Sequence, residues 1–488
     1  APISTATISP LTAPTNRRKL QKMKKFAFNP YLPSYEYIPD GEPRVFGERL
    51  YVFGSHDKFG GNDFCLNDYV AWSAPIDDLS DWRFEGVIYR KEQDPRSGEK
   101  LPLFAPDVIR GSDGRYYLYY SVKDSSVISV AVSNAPAGKY EYYGDVKTPE
   151  GRVYGTRPDD HYEFDPAILN DGGRYYPYSG FGFTAKAAGH RCVGVFVREL
   201  KADMLTSKGE PKILIPRKKF SFFRNGFFEG ASIRKIGSLY FLVYPCSNMS
   251  GLVYCTSDRP DGGFRYRGRI HSTSDIGING HRFLSAAYPI GNNHGGIAEV
   301  NGKYYIFDHR MTNNTMFSRQ GVAEEIQISD DGTIGQVECT SCGLNGGPLP
   351  AKGEYPAYIA CNLMSRRVLG MRVPFRGAYI TQDGEDRECG PDQYISQIEN
   401  GTVVGFKYFL FDGTESRLCV QVRGFAQGTL LVYDRERKGA LLTKIDLHPD
   451  QSEWAEFSAP LCKTKGKRAL FFKFRGKGKF DMNSFSVR

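Results

Sequence analysis

Four carboxylic acids and one histidine recur at the same point of a repeated pattern in the first two-thirds of this 488-residue chain. Each precedes a tyrosine of the repeat by eleven residues, or by ten in the second case. The five are Asp40, Asp107, Asp165, Glu229 and His294, and their tyrosines are Tyr51, Tyr117, Tyr176, Tyr240 and Tyr305. Buried charges that are held together are costly unless function retains them, and neighbouring carboxyls push one another's pKa values apart. Such a group can supply a proton donor and a proton acceptor at one pH.

Hydrolysis of a glycosidic bond needs this pair of groups. One carboxyl must be protonated, because it gives a proton to the leaving oxygen. A second must be ionised, because it takes a proton from the attacking water. A third acid beside the proton donor can orient it and keep its pKa high. The carboxyls can cooperate only if the fold brings all five repeats to one axis.

The repeat itself predicts such an axis. A glycine followed three residues later by a tyrosine, or four residues later in the first unit, appears five times, and successive tyrosines are 66, 59, 64 and 65 residues apart. Tight-turn sequences such as Ser112-Asp113-Gly114 separate short apolar runs, which is typical of β-hairpins. Each unit of about 60 residues holds about four strands without a helical pattern. Five units predict a five-bladed β-propeller, in which the first strand of every blade lines the central axis.

The last third of the chain loses the five-fold pattern after the glycine-rich loop 343–348. Short alternating strands follow, for example 405–411, 418–422, 429–433 and 469–474, which favours a β-sandwich. We therefore predict an all-β chain of three parts. Residues 1–27 form a flexible arm rich in Ala, Pro, Ser and Thr and then basic, 28–345 a five-bladed β-propeller, and 346–488 a β-sandwich.

At these positions the sequence resembles glycoside hydrolase family 43. The resemblance covers about residues 28–335, and its motifs follow in order at the repeat spacing. They are Ile38-Pro-Asp40-Gly-Glu-Pro43, Ser55-His-Asp57, Phe104-Ala-Pro-Asp107-Val-Ile, Phe164-Asp-Pro-Ala167, Phe228-Glu229-Gly230, Asn293-His294-Gly295-Gly296 and Arg319-Gln320. Each motif is weak alone, whereas five in register are specific.

The family resemblance implies roles for these residues. Asp40 corresponds to the general base, Glu229 to the general acid, and Asp107 to the residue that raises the pKa of the acid and positions it. Without an enzyme nucleophile the reaction inverts, with base and acid roughly 6.5–9.5 Å apart. Asp165 would contact substrate hydroxyls, and Arg319 would steady the carboxylates. His294 resembles an axial histidine that holds a central water or a metal ion, often calcium. We expect no required cofactor, with calcium as a possible structural ion at this site.

Three assignments stay open on the sequence. Many family members carry Asp-Pro at the base, but here Glu42 precedes Pro43 and competes with Asp40, which the repeat spacing favours. His56 and Asp57 either line the sugar subsite or hold the first blade together. The aromatic residues that could stack on a sugar, or else pack between strands, are Phe59, Trp72, Phe104, Phe181 and Phe227.

The chain end 479–487 resembles family 6 carbohydrate-binding modules, which often follow this propeller, although the match is weaker. Sugar binding needs exposed aromatic platforms, and Trp454 is the main candidate. The alternative is a domain that packs on the propeller and supports its rim.

The leading function is an inverting, exo-acting hydrolase that releases terminal α-L-arabinofuranose, β-D-xylose or both from plant hemicellulose or its oligosaccharides. Long inserts at 92–100 and 147–162 could wall off a pocket, which favours exo action. Endo-arabinanase and exo-galactanase are the enzymatic alternatives. A non-catalytic carbohydrate-binding propeller is disfavoured because base, acid and modulator are all present.

The composition limits the classes of binding partner that we expect. The formal charge is +9, but Lys and Arg cluster near the two ends without interleaved aromatics, so a nucleic-acid partner is not expected. No stretch approaches the ~20 apolar residues of a membrane span. The ten cysteines look mostly unpaired, which slightly favours the cytoplasm over secretion. Cys339 and Cys342 form a C-x-x-C, but no second pair or histidine lies nearby in sequence, so we do not expect zinc. The oligomeric state is not predicted.

Overall fold

The computed structural model of the chain describes residues 26–98, 100–217, 225–365, 377–387 and 393–488. Residues 1–25 of the expected N-terminal arm lie outside this part. The described part is almost entirely β-structure, and its only helical segments are short 3₁₀ turns at Lys91–Gln93, Phe283–Ser285, Gly343–Asn345 and Ala357–Ile359. Within these residues no helix is long and apolar enough to cross a membrane. The prediction of an all-β fold is confirmed.

Five antiparallel sheets form the blades predicted from the repeat. The first blade contains β1 (Glu42–Phe46), β2 (Arg49–Phe53), β3 (Tyr69–Pro75) and β4 (Arg83–Tyr89), and the second β5 (Leu103–Arg110), β6 (Tyr116–Val122), β7 (Ile128–Ser133) and β8 (Glu141–Asp145). The third contains β9 (Ala167–Asp171), β10 (Arg174–Phe181), β13 (Gly194–Val197) and β14 (Lys212–Pro216), with the small hairpin β11 (Lys186–Ala187) and β12 (His190–Arg191) inserted. The fourth contains β15 (Ser232–Ile236), β16 (Leu239–Pro245), β17 (Leu252–Ser257) and β18 (Arg265–His271), and the fifth β19 (Ile297–Val300), β20 (Lys303–Met311) and β21 (Arg319–Ile326). The five repeat tyrosines all lie on the second strand of their blade.

The inner strands close into a ring. β1 contacts β5 and β19, β9 contacts β5 and β15, and β15 contacts β19. The N-terminal segment helps to close it, since Tyr31 N donates to Gly321 O of β21 and the Asn29 amide nitrogen donates to Ala323 O. The first strand of each blade therefore lines the axis, as the repeat predicted.

The apolar runs of the blades are explained by burial on both faces. Five hydrophobic clusters of described residues each lie between two neighbouring blades. In β16, Leu242 belongs to the cluster shared with the third blade, whereas Phe241 and Val243 belong to the cluster shared with the fifth. Alternate side chains thus enter different interfaces, so a strand with no polar face is stable here.

The C-terminal domain is one hydrogen-bonded sheet that curls over a single core. Its strands are β22 (Leu349–Pro350), β23 (Gly353–Pro356), β24 (Asn362–Met364), β25 (Tyr379–Gln382), β26 (Gln393–Glu399), β27 (Val403–Phe411), β28 (Arg417–Tyr433), β29 (Leu441–Leu447), β30 (Asp450–Pro460) and β31 (Gly466–Val487). The long strands β28 and β31 pair with each other and with shorter strands on either side. They connect the two layers of the predicted sandwich into a single sheet. The core of this domain also takes in Phe28 and Tyr288 of the propeller.

Candidate active site

Asp40 lies at the inner end of the first blade and is held ionised. Asp40 is 6% exposed and lies two residues before the start of the axial strand β1. Arg319 Nη1 donates to Asp40 Oδ1 at 3.2 Å, and the Ser55 hydroxyl also donates to this carboxylate. Burial alone would raise the pKa of Asp40, but the positive charge of Arg319, followed by the nearby histidines, outweighs burial and lowers it to about 2. Asp40 can therefore accept a proton at any physiological pH.

Glu229 lies across the same axis, on the fourth blade, and has the opposite tendency. Burial first, and the negative charge of Asp40 second, raise the pKa of Glu229 to about 8, although Arg319 opposes this. Its side chain keeps partial exposure to solvent. At neutral pH this carboxyl is protonated and accessible, as a proton donor to a bound molecule must be.

Asp165 completes a group of three interacting carboxyls. It is 5% exposed, and burial together with the charges of Glu229 and Asp40 raises its pKa well above the ordinary range. His294 lies between these groups, with Nδ1 3.8 Å from Asp40 Oδ1 and 4.0 Å from Asp165 Oδ2. We refer to Asp40, Asp165, Glu229 and His294 as the carboxyl layer. Four of the five residues picked out by the repeat therefore do meet.

Asp107, the fifth, is placed differently. Arg44 binds both of its oxygens, from Nε at 2.9 Å and from Nη2 at 2.5 Å, and the backbone amides of Val108 and Ile168 donate to it at 2.8 and 2.9 Å. Asp107 is fully buried, and it is not among the groups that shift the pKa of Glu229. The geometry therefore does not support the expectation that Asp107 raises the pKa of the acid; the carboxyl that interacts with Glu229 at this level is Asp165, whose own pKa Glu229 raises.

The ladder of the second blade explains the difference. Asp107 pairs with Tyr119, two residues beyond the repeat tyrosine, just as Glu42 pairs with Phe53 and Ala167 with Tyr178. The hairpin turn of the second blade is one residue longer, since Ile109 pairs with Tyr117 where Arg44 pairs with Tyr51, and Asp107 precedes its tyrosine by ten residues rather than eleven. Counting back from Tyr117 therefore reaches a residue two positions too deep. Ala105 precedes Asp107 by two residues, as Asp40 precedes Glu42 and Asp165 precedes Ala167, and it shares their positive φ.

Glu42 shares this deeper level and is neutralised there. Arg234 Nη2 donates to Glu42 Oε2 at 2.7 Å, and the Ser232 hydroxyl donates to the same oxygen at 3.0 Å. We refer to the pairs Glu42–Arg234 and Asp107–Arg44 as the ion-pair layer. Glu42 is held by its own arginine, and this difference in surroundings favours Asp40 over Glu42 as proton acceptor.

Arg319 is fixed by Asp57. The Asp57 carboxylate accepts from Arg319 Nε and Nη2, each at 2.9 Å, and from the Arg319 backbone amide at 3.0 Å. The fully buried Asp57 therefore acts at one remove, by orienting the guanidinium that contacts Asp40.

His309 and Ser55 were missed by the sequence analysis. Burial lowers the pKa of His309 to about 4, so its Nδ1 is unprotonated and accepts the Asp40 amide at 3.1 Å. Ser55 Oγ accepts the Ala105 amide at 2.8 Å and so ties the Asp40 carboxylate to the second blade. Ser55 belongs to the motif Ser55-His-Asp57. His309 lies on β20, the second strand of its blade, and therefore away from the repeat position that the five ionisable residues share.

His56 and Trp72 support the first blade. Trp72 Nε1 donates to Glu36 Oε2 at 2.5 Å, and His56 Nε2 lies 3.5 Å from Glu36 Oε1. His56 Nδ1 also donates to the Asp68 carbonyl at 2.8 Å, and both residues are buried. The structure therefore gives these two predicted sugar-binding residues a packing role around Glu36.

Gly230 has a steric requirement. Its φ is +59°, and an added Cβ would lie 2.7 Å from Nδ1 of His294. A side chain at this position would displace the axial histidine or the backbone that carries the neighbouring Glu229.

Comparison with known proteins decides the family. Residues 43–334, more than half of the chain, match the family model described as glycosyl hydrolases family 43. The chain belongs to glycosyl hydrolases family 43. The matched region of this glycoside hydrolase includes Asp107, Asp165, Glu229, His294 and Arg319, and it begins three residues after Asp40.

Relatives of this family 43 enzyme extend over both domains. It is 47% identical over 478 residues to a xylosidase/arabinosidase of Thermoclostridium stercorarium, covering 95% of this chain and 99% of that protein. A family 43 arabinoxylan arabinofuranohydrolase from Bacillus subtilis, solved with cellotetraose, shares the fold across 94% of this chain and 97% of its own, with 19% identity and a TM-score of 0.51. A family 43 β-xylosidase/α-arabinofuranosidase from a compost metagenome, solved with xylotriose in a calcium-free form, matches 63% of this chain and 96% of its own, with 25% identity and a TM-score of 0.50.

Aromatic side chains accompany two of the carboxyls of this family 43 enzyme. Phe164 precedes Asp165 and packs against Phe104 and Phe181, at ring separations of 5.7 and 5.5 Å. Phe228 precedes Glu229 and packs against Phe181 at 5.7 Å. The predicted Phe104 and Phe181 thus belong to an aromatic band beside the two acids, and both keep partial exposure.

The remaining aromatic candidates differ from each other. Phe227 is buried in the cluster between the third and fourth blades, so it packs rather than stacks on a ligand. Phe59 is partly exposed and stacks on Tyr37 with ring centroids 5.6 Å apart.

Proposed function

We propose that this family 43 enzyme is an inverting, exo-acting hydrolase that releases terminal α-L-arabinofuranose and β-D-xylose from hemicellulose oligosaccharides. One observation carries the mechanism: a buried carboxyl with a pKa near 2 shares the propeller axis with another whose pKa is near 8. The substrate class rests on the relative that is 47% identical over almost the whole chain and is named a xylosidase/arabinosidase.

In the proposed reaction Asp40 takes a proton from a water as the water oxygen bonds to the anomeric carbon. Glu229 gives its proton to the glycosidic oxygen as the bond between that oxygen and the anomeric carbon breaks. Attack and departure occur on opposite faces of the sugar, so the anomeric configuration inverts. Burial and the charge of Asp40 keep the proton on Glu229 until the leaving group draws it away, and Asp165 interacts with Glu229 so that the two acids do not ionise together. Exchange with solvent then returns a proton to Glu229 and removes one from Asp40.

His294 and Glu42 could hold a polar group on the axis. Among the described residues, His294 Nδ1 and Glu42 Oε1 are buried without a hydrogen-bond partner, and His294 Nε2 lies 3.8 Å from Glu42 Oε1. Calcium takes 6–8 oxygen ligands, so these side chains fit a water or a calcium that keeps most of its own waters. Such a cation would add positive charge near Asp40 and help to keep it ionised.

The test compares wild type with Glu229→Gln and Asp40→Asn on 4-nitrophenyl pentosides and on xylo- and arabinoxylo-oligosaccharides. We expect Glu229→Gln to lose about 10²–10⁴ in rate on oligosaccharides and less on the aryl glycosides, whose leaving groups need less proton donation. Asp40→Asn should lose activity on both classes, because water activation is needed for each. Proton NMR of the first product from a β-xyloside should show α-xylose.

Three results would overturn parts of this proposal. First-formed β-xylose would exclude inversion. Equal losses of Glu229→Gln on both substrate classes would remove its role as proton donor. An early fall in the viscosity of linear arabinan, before monosaccharide appears, would favour endo-arabinanase.

The C-terminal domain fits a supporting role better than independent sugar binding. The aromatic platform expected from Trp454 is partly covered, because the Arg423 guanidinium lies 4.4 Å from its ring and Tyr394 packs against it edge to face. The domain also reaches the first blade, where Asp386 Oδ1 accepts the Phe59 amide at 2.6 Å. The likeness of this domain to family 6 modules stays a prediction. Measuring whether an Asp40→Asn variant binds isolated polysaccharides would test it.

A further inference from the structure

A second cluster of metal-ligating side chains lies away from the carboxyl layer, where the last two blades meet the linker to the C-terminal domain. A ring nitrogen of His271, a carboxylate oxygen of Glu324 and the sulfur of Cys339 lie within 4.8 Å of one another. His271 ends β18 of the fourth blade, Glu324 is in β21 of the fifth, and Cys339 follows in the linker. All three side chains are buried. We propose that this cluster is a zinc site that joins the three segments.

The surroundings of His271 are those of a metal-bound imidazole. Its Nδ1 donates to Asp308 Oδ2 at 2.8 Å, and Asp308 also accepts from the Asn293 amide nitrogen at 3.1 and 3.2 Å. The other ring nitrogen, Nε2, is fully buried and has no hydrogen-bond partner among the described residues. A carboxylate that fixes one nitrogen of the ring while the other is free is the usual second shell of a metal-binding histidine. An orphaned buried nitrogen is otherwise costly.

The two other ligands have capacity to spare. Glu324 Oε1 accepts from Asn29 Nδ2 at 2.9 Å and from the Thr340 amide at 2.5 Å, whereas Oε2 accepts, among the residues that the structure describes, only the Thr340 hydroxyl, at 2.9 Å. One lone pair of Oε2 is therefore free. The sulfur of Cys339 makes no hydrogen bond within the described part of the chain, while its backbone amide is held by Asp275 Oδ1 at 2.8 Å.

The ligand set selects zinc. Imidazole and thiolate suit zinc, whereas calcium and magnesium take oxygen ligands. Ligands of a tetrahedral zinc lie about 3.3–3.8 Å apart, so the side chains need to close by about 1.5 Å at most. Binding displaces the thiol proton to solvent, and a divalent ion with one carboxylate and one thiolate leaves no net charge in the buried cluster.

This site differs from the one considered on the sequence. Cys342, the other cysteine of the C-x-x-C, points to the C-terminal sheet, where its sulfur accepts the Tyr408 amide at 3.2 Å. The histidine comes instead from 68 residues upstream, so nearness in sequence gave no indication of it. The fourth zinc position falls to a water.

The experiment measures zinc in the full-length protein, purified without an affinity tag or chelator and supplied with zinc during expression. We expect about one zinc per chain by mass spectrometry, falling below about 0.2 in Cys339→Ser and His271→Gln. Cys342→Ser and the buried Cys255→Ser are matched controls that should keep the metal. Cobalt added to the metal-free wild type should give a thiolate-to-cobalt absorption band that is absent in Cys339→Ser.

The cobalt spectrum of wild type keeps the test decisive if a variant fails to fold. Zinc removal should also lower the melting temperature of wild type, and added zinc, but not calcium, should restore it. Wild type without bound zinc and without a cobalt–thiolate band would overturn the proposal. So would equal zinc contents in Cys339→Ser and in wild type.

Discussion

The carboxyl layer and the ion-pair layer lie on the same axis, two residues apart along the chain. They differ in how the charge of a buried acid is balanced. In the ion-pair layer each carboxylate has its own arginine, Arg44 for Asp107 and Arg234 for Glu42. In the carboxyl layer three acids share one arginine, Arg319. The two layers differ in the number of arginines available to each carboxylate rather than in burial.

That shortage of positive charge has a chemical consequence. A single guanidinium can keep only the nearest carboxyl ionised, which is Asp40, and the remaining two hold protons into the neutral range. A proton acceptor and a proton donor thus coexist because the layer is electrostatically incomplete. The layer beneath it pairs each carboxylate with an arginine, so neither acid is placed to exchange a proton with a substrate.

The largest contrast is expected between Asp40→Asn and Asp107→Asn. Both changes remove one carboxylate charge at the axis from residues two register positions apart. Asp40→Asn should lower kcat by about 10²–10⁴, because it removes the proton acceptor. Asp107→Asn should keep kcat within about threefold in the folded protein, since Asp107 faces Arg44 and acts on structure. Initial rates on xylobiose, measured at a temperature where both variants are folded, decide the comparison.

The control is the pH profile of Asp107→Asn. A basic limb displaced from that of wild type would restore the role in setting the pKa of Glu229 that the sequence assigned to Asp107. An unchanged limb places Asp107 with the structural pairs.

The second contrast concerns stability. Arg44→Met leaves Asp107 as an uncompensated buried charge and should destabilise the propeller by about 3–5 kcal/mol. The double variant Arg44→Met/Asp107→Leu should recover most of this loss, because both partners are replaced by apolar groups. Urea unfolding followed by tyrosine fluorescence measures the difference. Equal stability of the single and double variants would show that the ion pair does not dominate this level of the axis.

Much of this arrangement was predictable from the sequence. The repeat of glycine and tyrosine fixed five blades, and four of the five ionisable residues at its common point do converge. Both results follow from strand periodicity, which local sequence determines. Asp107 shows where such counting fails: the hairpin turn of the second blade is one residue longer, so a spacing of ten residues reaches a position two residues deeper than that of Asp40, and a longer turn has no apolar pattern of its own.

Partnerships between distant segments were the least predictable part. Glu36, which binds Trp72 and His56, carried no motif, so two buried structural residues looked like sugar ligands. The role of His309 could not be predicted, because it depends on accepting a hydrogen bond from the backbone amide of Asp40, which lies 269 residues away in the sequence. Contacts of this kind are decided by packing of blades, which no short pattern encodes.

The third contrast tests the shared cation. Arg319→Met, combined with Asp57→Asn so that Asp57 is not left unpaired, removes the charge that lowers the pKa of both Asp40 and Glu229. Both pKa values should rise. The basic limb of the kcat/KM profile should therefore move above its wild-type position near pH 8, and an acid limb should enter the measurable range as Asp40 becomes protonated. Profiles between about pH 4 and 10 measure both limbs. A downward shift of either limb would contradict the assignment.

The fourth contrast is smaller and has the opposite sign. Asp165 and Glu229 titrate as an interacting pair, so ionisation of either one disfavours ionisation of the other. Asp165→Asn removes this interaction, so Glu229 should lose its proton at lower pH. We expect the basic limb to fall by about one pH unit, with kcat on oligosaccharides reduced near neutrality. A limb that does not move would mean that burial and Asp40 alone set the pKa of Glu229.

The smallest expected effect comes from the C-terminal domain. Asp386 accepts the Phe59 amide at 2.6 Å and Asn67 Nδ2 at 3.0 Å, and so fixes both ends of a first-blade loop. This loop carries Phe64, whose ring lies 4.9 Å from the Arg319 guanidinium. Asp386→Ala should therefore loosen the support of Arg319 and reduce kcat/KM by about threefold to tenfold, as misplacement of a positioning group does.

Asp383→Ala is the matched control, because Asp383 belongs to the same segment but binds Arg423 and Tyr394 within its own domain. If Asp383→Ala and Asp386→Ala reduce kcat/KM equally, the effect comes from general loosening of the domain. If only Asp386→Ala reduces kcat/KM and neither limb of the pH profile shifts, the loss comes from geometry rather than charge. Arg319 would then keep its charge while losing its fixed position. The carboxyl layer would then depend on the C-terminal domain for orientation, whereas the ion-pair layer, whose partners all lie on inner strands, would not.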